Sequence, residues 1–189
     1  MLYLYQMPTK FIISSPSASG KTTLVNALLE AFPTMYRLKT CTTRPVRPEE
    51  KGNEYFFLTK EQAEEKIKND DFVEYSTVYG NIYGLDKMEV ERNLSRNTVV
   101  ILDVQGTEKA TTLYPSMKTI FIQPPPREIL ESRLKERNTN DADVNARLAE
   151  IDTELSYMNK YDHVVQYGSL TQMKRSLYRF VRFYVENQA

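Results

Sequence analysis

The sequence is poor in cysteine and histidine and contains no long apolar run. One cysteine among 189 residues excludes a disulfide within the chain and predicts a reducing compartment. No apolar stretch approaches the ~20 residues that span a bilayer, so we expect no membrane partner. Residues 1–9 lack the basic region and the cleavage pattern of a signal peptide. Together these absences predict a cytoplasmic protein.

An excess of charge of one sign is also missing. The 25 Lys and Arg residues balance the 25 Asp and Glu residues, so no overall field attracts the chain to nucleic acid. The lone histidine, His163, is predicted to have a structural or surface role, and the lone cysteine, Cys41, is predicted to serve packing. The length suffices for one domain with a sizeable core. None of these features indicates an oligomeric state.

What is present is an apolar run, a loop of small residues and a helical pattern in direct succession. Residues 11–30 read FIISSPSASGKTTLVNALLE, with Gly-Lys-Thr at 20–22. A phosphate loop needs backbone N–H groups at a helix N-terminus, a lysine for the phosphates and a hydroxyl for Mg²⁺. We therefore predict a site for a nucleoside triphosphate formed by Ser17, Ala18, Ser19, Gly20, Lys21, Thr22 and Thr23.

Two positions depart from the usual pattern of a phosphate loop. Ser15 stands where the pattern has its first glycine, and Ala18 stands where related loops often have another. Serine is less favourable than glycine where φ is positive, but its hydroxyl forms local hydrogen bonds. The alternative interpretation is a polar turn that Ser19 caps. The joint occurrence of strand, Gly-Lys-Thr and helix favours the phosphate loop.

Strand and helix patterns alternate along the chain. The first predicted strand is the apolar run 11–13. The strands predicted after it are 54–58, 72–75, 99–102, 119–122 and 163–165. The predicted helices are 21–31, 60–68, 88–96, 107–113, 127–137, 144–159 and 173–185. This alternation predicts an α/β fold with a mostly parallel sheet and helices on both faces. Segment 36–96 has shorter strands and is predicted to be an inserted lobe.

Two arginines and a tyrosine form the first of three polar clusters. Arg44 and Arg47 flank Pro-Val in a loop, and Tyr55 follows. Because guanidinium groups match phosphate oxygens in a two-pronged geometry, this cluster predicts an anion site. The alternative is solvated surface charge.

A carboxylate among aromatic residues forms the second cluster. Glu74 lies in the predicted strand 72–75, and Tyr-Gly-Asn-Ile-Tyr-Gly follows at 79–84, where Gly80 and Gly84 are predicted to bracket a turn. A carboxylate accepts two hydrogen bonds from a flat edge that carries two donors, and guanine presents such an edge. The alternative is an exposed strand glutamate beside core tyrosines.

Three arginines form the third cluster. Arg133 and Arg137 lie four residues apart on one face of a predicted helix, and Arg147 follows a polar segment. Arginines in this arrangement suit a lid that closes over a phosphoryl group during its transfer. The alternative is a charged helix face.

Together the clusters resemble those of the guanylate kinases over residues 10–189. The most specific segments are Thr-Thr-Arg-x-x-Arg at 42–47, the Glu-Tyr and Tyr-Gly-Asn-Ile-Tyr-Gly segments, Asp-x-Gln-Gly at 103–106, and Pro-Pro before the helix 127–137. The resemblance implies Mg²⁺-dependent transfer of the γ-phosphoryl group of ATP to GMP, giving ADP and GDP. It further implies a P-loop NTPase core (10–35, 97–125 and 160–189), a GMP-binding lobe (36–96) and a lid (126–159).

The resemblance also implies the roles of individual residues. Lys21 and Thr22 would bind the ATP phosphates and Mg²⁺, and Asp103 would lie near the guanine amino group or the metal. The residues implied to bind GMP are Thr40, Arg44, Arg47, Tyr55, Glu74, Tyr83 and Asp103. Those implied to act in catalysis are Lys21, Arg44, Arg133, Arg137 and Arg147.

Three departures from the family pattern change the expected contacts. Ile101 replaces the first of two acids that the family often has at the end of this strand. Leu85 replaces a small hydroxyl residue and removes one contact to the base. Gln-Tyr-Gly at 166–168 replaces Val-Asn-Asp, so the asparagine expected near adenine is missing.

Two other functions fit parts of the pattern. A peptide-binding module of the guanylate kinase type usually lacks the phosphate-loop lysine or the lid arginines, whereas this chain keeps Lys21 and all three arginines. A kinase of another small phosphorylated acceptor has no need of a purine-reading carboxylate such as Glu74. Both alternatives explain less of the sequence than a kinase of GMP does.

Overall fold

A computed structural model describes residues 8–46, 50, 52, 55–78, 80–136 and 141–186, with the side chains of 141–143 excepted. The strands are β1 (Lys10–Ser14), β2 (Tyr36–Arg37), β3 (Cys41–Thr42), β4 (Phe56–Phe57), β5 (Phe72–Val78), β6 (Asn81–Asp86), β7 (Thr98–Ile101), β8 (Lys118–Ile122) and β9 (His163–Val165). The α-helices are α1 (Lys21–Ala31), α2 (Lys60–Lys68), α3 (Lys87–Glu91), α4 (Val104–Leu113), α5 (Arg127–Glu136), α6 (Asp141–Ser156) and α7 (Leu170–Glu186).

The larger sheet is parallel. Among the described residues it contains five strands in the order β2-β7-β1-β8-β9. The central strand β1 is fully buried at Phe11, Ile12 and Ile13, which is expected of a parallel strand covered on both faces. The predicted α/β fold with a mostly parallel sheet is therefore confirmed.

The smaller sheet is mixed and lies in segment 36–96. In the part of the chain that the structure describes, it contains four strands in the order β4-β3-β6-β5. β3 is parallel to β4 and antiparallel to β6, and β5 pairs with β6 as a hairpin. β2 precedes these strands but pairs with β7 of the larger sheet. The chain thus enters the smaller sheet only at β3.

The two sheets share an apolar core. Phe11 and Ile13 face one side of β1 and pack with apolar residues of α1 and α7. Ile12 faces the other side and packs in a cluster that includes Val73 and Leu85 of the smaller sheet. This alternation follows from the period-two geometry of a strand. The smaller sheet is consequently held against the larger one by packing.

Several predicted boundaries agree with the structure. The helices 21–31 and 60–68 and the strand 163–165 have the bounds that the sequence predicted. The strand β2 was not predicted, because two residues are too few for a periodic pattern and they become a strand only by pairing with β7.

Other predicted boundaries are wrong for identifiable reasons. Gly80 lies in a turn with a φ of 74°, but Gly84 lies within β6, so these glycines do not bracket a turn. The helix predicted at 107–113 begins three residues earlier, at Val104. Its start is set by Asp103, whose side chain accepts a hydrogen bond from the Gly106 N–H.

The lone cysteine and the lone histidine occupy packed positions. Cys41 is buried, and burial raises the pKa of its thiol to about 12, so it is a poor nucleophile. The His163 ring stacks on Phe180 with ring centres 4.6 Å apart, and its Nε2 lies 3.0 Å from the Ser176 hydroxyl. Both arrangements are consistent with the structural roles predicted from the sequence.

Within the described ranges, none of the helices combines the length and the apolar character that crossing a membrane requires.

A capping box stabilises the start of α2 and provides a test of the fold. The Thr59 hydroxyl accepts a hydrogen bond from the Gln62 N–H at 3.2 Å, and the Thr59 N–H donates to Gln62 Oε1 at 2.9 Å. We expect Thr59→Ala to lower the free energy of unfolding by about 1 kcal/mol in urea titrations. Lys60→Ala is the control, because the Lys60 side chain is 75% exposed. Equal stability of the two variants would contradict this prediction.

Candidate active site

A cleft opens at the carboxyl ends of β1 and β7, the edge of a parallel sheet where ligands commonly bind. Its volume is about 230 Å³. The smaller sheet and α6 form its other walls. The sequence-predicted site residues that line it are Ser17, Ala18, Ser19, Gly20, Lys21, Thr22, Thr23, Thr40, Arg44, Tyr55, Glu74, Tyr83, Asp103 and Arg147.

The phosphate loop, residues 15–20, contains two left-handed backbone positions. Gly20 has a φ of 95° and is the N-cap of α1, while Ala18 has a φ of 61°. Ser15, where the usual pattern has glycine, does not have a positive φ. Ala18, and not Ser15, is therefore the position where the backbone favours glycine. The left-handed conformation there costs alanine about 1–2 kcal/mol.

Side chains of the loop bind its own backbone. The Ser15 hydroxyl donates to Ser19 Oγ, and the Ser19 hydroxyl donates to the Pro16 carbonyl at 2.6 Å. Lys21 Nζ donates to the carbonyls of Ser15 and Pro16 at 2.5 and 2.8 Å. The loop is thus curled around the ammonium group. The alternative in which Ser19 caps the helix is wrong, because Gly20 holds that position without a side-chain hydrogen bond.

Two arginines from α5 and α6 reach the loop. Arg133 Nη1 donates to the Ala18 carbonyl at 3.1 Å, and Arg147 Nη1 donates to the Ser17 hydroxyl at 3.2 Å. The Ala18 methyl group packs with apolar residues of both helices. Positive charge is therefore concentrated where the loop backbone turns. The predicted site residues Arg47 and Arg137 lie outside the described residues.

An arginine fork follows β3 and lines the cleft. Both Arg44 terminal nitrogens donate to the Glu50 carboxylate, at 3.0 and 2.7 Å. The Arg44 guanidinium lies 5.5 Å from the centre of the Tyr55 ring, and the Tyr55 and Tyr83 rings are 6.4 Å apart. Because the fork holds one carboxylate in a two-pronged geometry, it has the shape required for another planar or tetrahedral oxyanion.

Two carboxylates, those of Glu74 and Asp103, also line the cleft. Glu74 is only 5% exposed, so the alternative of an exposed strand glutamate is wrong. Burial raises the pKa of Glu74 to about 8, and the charge of Asp103 adds to this rise, whereas Lys109 and the Leu85 backbone oppose it. Asp103 accepts from the Gly106 N–H and from the Ser76 hydroxyl, each at 2.6 Å. Its carboxylate is therefore fixed by one bond to each oxygen.

Sequence reasoning missed three polar residues of the cleft. Ser76 lies on β5, and Glu150 and Glu154 lie on α6. The spacing of Arg147, Glu150 and Glu154 places them on one helical face, and this periodicity was the available signal. Burial raises the pKa of Glu154 to about 7, with Lys21 opposing the rise and the charges of Glu150 and Asp103 adding to it.

The departures from the family pattern fall in different environments. Leu85 is fully buried in the apolar cluster shared by the two sheets. Ile101 lines the cleft beside Asp103 and forms an apolar part of its wall. Over the described residues, no group of three or more His, Cys, Asp or Glu side chains is arranged to hold a metal ion.

Comparison with known proteins agrees with this geometry. A family model described as guanylate kinase matches residues 7–184. This chain belongs to the guanylate kinase family. The guanylate kinase of Fusobacterium nucleatum subsp. nucleatum is 39% identical over 165 residues, which are 86% of this chain and 89% of the relative. That of Vibrio parahaemolyticus is 42% identical over 164 residues, covering 83% of this chain and 79% of the relative.

A solved guanylate kinase shares the fold. The crystal structure of guanylate kinase from Anaplasma phagocytophilum superimposes with a TM-score of 0.76 at 27% identity, covering 94% of this chain and 86% of that one. The predicted family resemblance and the predicted P-loop NTPase fold of a guanylate kinase are therefore confirmed.

The raised pKa of Glu74 predicts a pH dependence of stability. A carboxyl whose pKa is about 8 when folded and 4.5 ordinarily binds protons more tightly in the folded protein. Its contribution to stability is therefore complete below pH 4.5 and is lost as the pH rises through 8. From pH 5 to 8.5, the wild type should lose on the order of a few kcal/mol relative to Glu74→Gln. Urea titrations at both pH values measure this, and a constant difference would contradict it.

Proposed function

We propose that this chain transfers the γ-phosphoryl group of ATP to GMP in the cleft between the phosphate loop and the Arg44 fork. The observation that carries the proposal is that the phosphate loop, the Arg44 fork and the buried Glu74 all line one cleft. A phosphoryl donor and an acceptor that meet in one cleft react as an effectively unimolecular pair. ATP and GMP are the proposed partners, without nucleic acid or membrane.

The donor triphosphate binds at the phosphate loop. Backbone N–H groups at the start of α1 and the Lys21 ammonium receive the phosphate oxygens. Lys21 already lies within the curl of the loop, through its bonds to two carbonyls there. Arg133 and Arg147 act from the proposed lid, 126–159, because both contact the loop. Arg137 is proposed for the same role from its place in the sequence.

Oxygen donors near the loop fit Mg²⁺, which prefers such ligands. Thr22 is exposed in the first turn of α1, and both Thr22 and Asp103 line the cleft. We assign Thr22 as a direct ligand and Asp103 as a second candidate. When bound with ATP, the metal neutralises part of the phosphate charge.

The acceptor phosphate binds at the arginine fork. It replaces the Glu50 carboxylate on Arg44, and Arg47, Tyr55 and Tyr83 complete the anion site. The guanine base then lies towards Glu74, whose two oxygens accept from the two donors on the base edge. Thr40 also lines the cleft, and its hydroxyl is assigned a contact to the base.

Transfer proceeds in line between the two phosphates. Lys21, Arg44 and the lid arginines share the charge that develops on the transferring group. Closure of the lobe 36–96 over GMP and of the lid over ATP excludes water, so the phosphoryl group reaches GMP and is not hydrolysed.

Lys21 provides the first test of this assignment. We expect Lys21→Ala to lower kcat for ATP plus GMP by about 10²–10³-fold, because a cation directed at the developing charge is lost. A coupled assay of ADP formation measures this, with circular dichroism to verify folding. Lys60→Ala, on the exposed face of α2, is the matched control. Unchanged kcat in Lys21→Ala would overturn the donor site.

Glu74 provides the second test, which concerns the acceptor. Glu74→Gln turns one acceptor into a donor that faces a guanine N–H, so kcat/KM for GMP should fall about 10²-fold. The affinity for an ATP analogue should not change. Glu89→Gln is the matched control, because Glu89 is a buried glutamate of the same segment outside the cleft.

An acceptor panel of GMP, AMP, UMP and CMP completes the second test. The wild type should prefer GMP strongly, because adenine N1 is an acceptor and would face the acceptor oxygens of the Glu74 carboxylate. Normal GMP kinetics in Glu74→Gln, or preference for another acceptor, would exclude Glu74 from base recognition.

A further inference from the structure

A glycine of α4 lies directly against the Glu74 carboxylate. A methyl carbon placed on Gly106 would lie 2.6 Å from Glu74 Oε2 and 2.9 Å from Glu74 Cδ. Ordinary contacts of such a carbon begin near 3.4 Å. The carboxylate therefore occupies space that any other residue at position 106 would fill.

The backbone does not explain this glycine. Gly106 lies inside α4, and it is not among the glycines with a positive φ. Within a helix, glycine is about 1 kcal/mol less favourable than alanine. Glycine at this position is thus explained mainly by the approach of Glu74, with Asp103 Oδ1 a less close neighbour at 3.3 Å, and not by a positive φ.

Further contacts hold β5 against α4 around this point. The Ser76 hydroxyl donates to Asp103 Oδ2 at 2.6 Å, and Lys109 Nζ donates to the Tyr75 carbonyl at 2.7 Å. Three consecutive residues of β5 therefore contact α4 or its N-cap: Glu74 at Gly106, Tyr75 at Lys109 and Ser76 at Asp103. Asp103 also caps α4 through the Gly106 N–H, so the cap, the strand and the glycine form one connected unit.

We propose that Gly106 is a positioning residue for recognition of the acceptor base. By having no side chain, it allows the Glu74 carboxylate to lie against α4, and the Ser76–Asp103 hydrogen bond keeps strand and helix in register. This inference rests on the proposed function. It assigns to the core helix α4 a part in selecting the base, which Glu74 of the smaller sheet would contact directly.

The surroundings leave the carboxylate few other places. Glu74 is buried, and its cross-strand neighbour Leu85 is fully buried. A methyl group at position 106 therefore displaces the carboxylate towards the open cleft. Hydrogen bonds weaken steeply with distance and angle, and a misplacement of about 1 Å lowers rates by about 10²-fold.

The test is Gly106→Ala in the full chain, assayed with ATP and with GMP or inosine monophosphate. We expect kcat/KM for GMP to fall about 10- to 100-fold, mainly through KM, with KM for ATP unchanged. Preference for GMP over inosine monophosphate, which lacks the 2-amino group, should narrow. Ala110→Gly is the matched control, because it weakens the same helix at a buried residue that does not line the cleft.

A double-mutant cycle distinguishes action through Glu74 from general damage. In a Glu74→Ala background the displaced carboxylate is absent, so adding Gly106→Ala should change kcat/KM for GMP by less than about 2-fold. An equal loss in both backgrounds would overturn the proposal. Ser76→Ala is a second variant that adds no volume, and it should raise KM for GMP only in the presence of Glu74.

Different results would exclude the positioning role of Gly106 and the function assigned to the cleft. If the wild type does not phosphorylate GMP, or if Glu74→Gln is normal, the function assigned to the cleft is wrong. If the wild type is active and Glu74→Gln is impaired, but Gly106→Ala has wild-type kinetics, the positioning role of Gly106 is wrong. The positioning role of Gly106 is supported if Gly106→Ala narrows the preference for GMP over inosine monophosphate and has no such effect in the Glu74→Ala background.

Discussion

The backbone of the phosphate loop is the feature on which the remaining parts of the site depend. It follows the central strand β1, begins α1 and receives Arg133 and Arg147 from two other helices. Its left-handed residue Ala18 also packs among the apolar side chains of α5 and α6. The strained position is therefore stabilised by burial of its methyl group, worth about 0.8 kcal/mol. Position 18 thus links the phosphate site to the helices of the proposed lid.

The cleft combines strong cations with an unusual number of acids. Lys21, Arg44 and Arg147 share it with Glu74, Asp103, Glu150 and Glu154. Burial raises the pKa of Glu74 to about 8 and that of Glu154 to about 7. Burial favours the protonated form of both groups, which for Glu154 reduces repulsion of phosphate groups. For Glu74, hydrogen bonds donated by the guanine edge would stabilise the charged form instead. Only Glu74 has an assigned partner in the proposed reaction, the edge of the guanine base.

Sequence patterns predicted much of this architecture, and the successes have a common cause. The α1 helix, the phosphate loop and the buried strand β1 are adjacent in the chain, so local periodicity and composition describe them. Arg44, Tyr55, Glu74 and Tyr83 were grouped with the loop only through the family resemblance. The structure brings them into one cleft. Their roles in binding remain predictions that the kinetic variants test.

The sequence by itself determined the α/β alternation, the strand–loop–helix unit around Lys21 and the membership of the chain in the guanylate kinase family. Only the tertiary structure decided that positive φ falls on Ala18 and not on Ser15, that Leu85 packs in the core and that Glu150 and Glu154 line the cleft. It alone also placed Gly106 against Glu74. The physical reason is that each of these properties depends on contacts between segments far apart in the chain, whose distances no local pattern encodes.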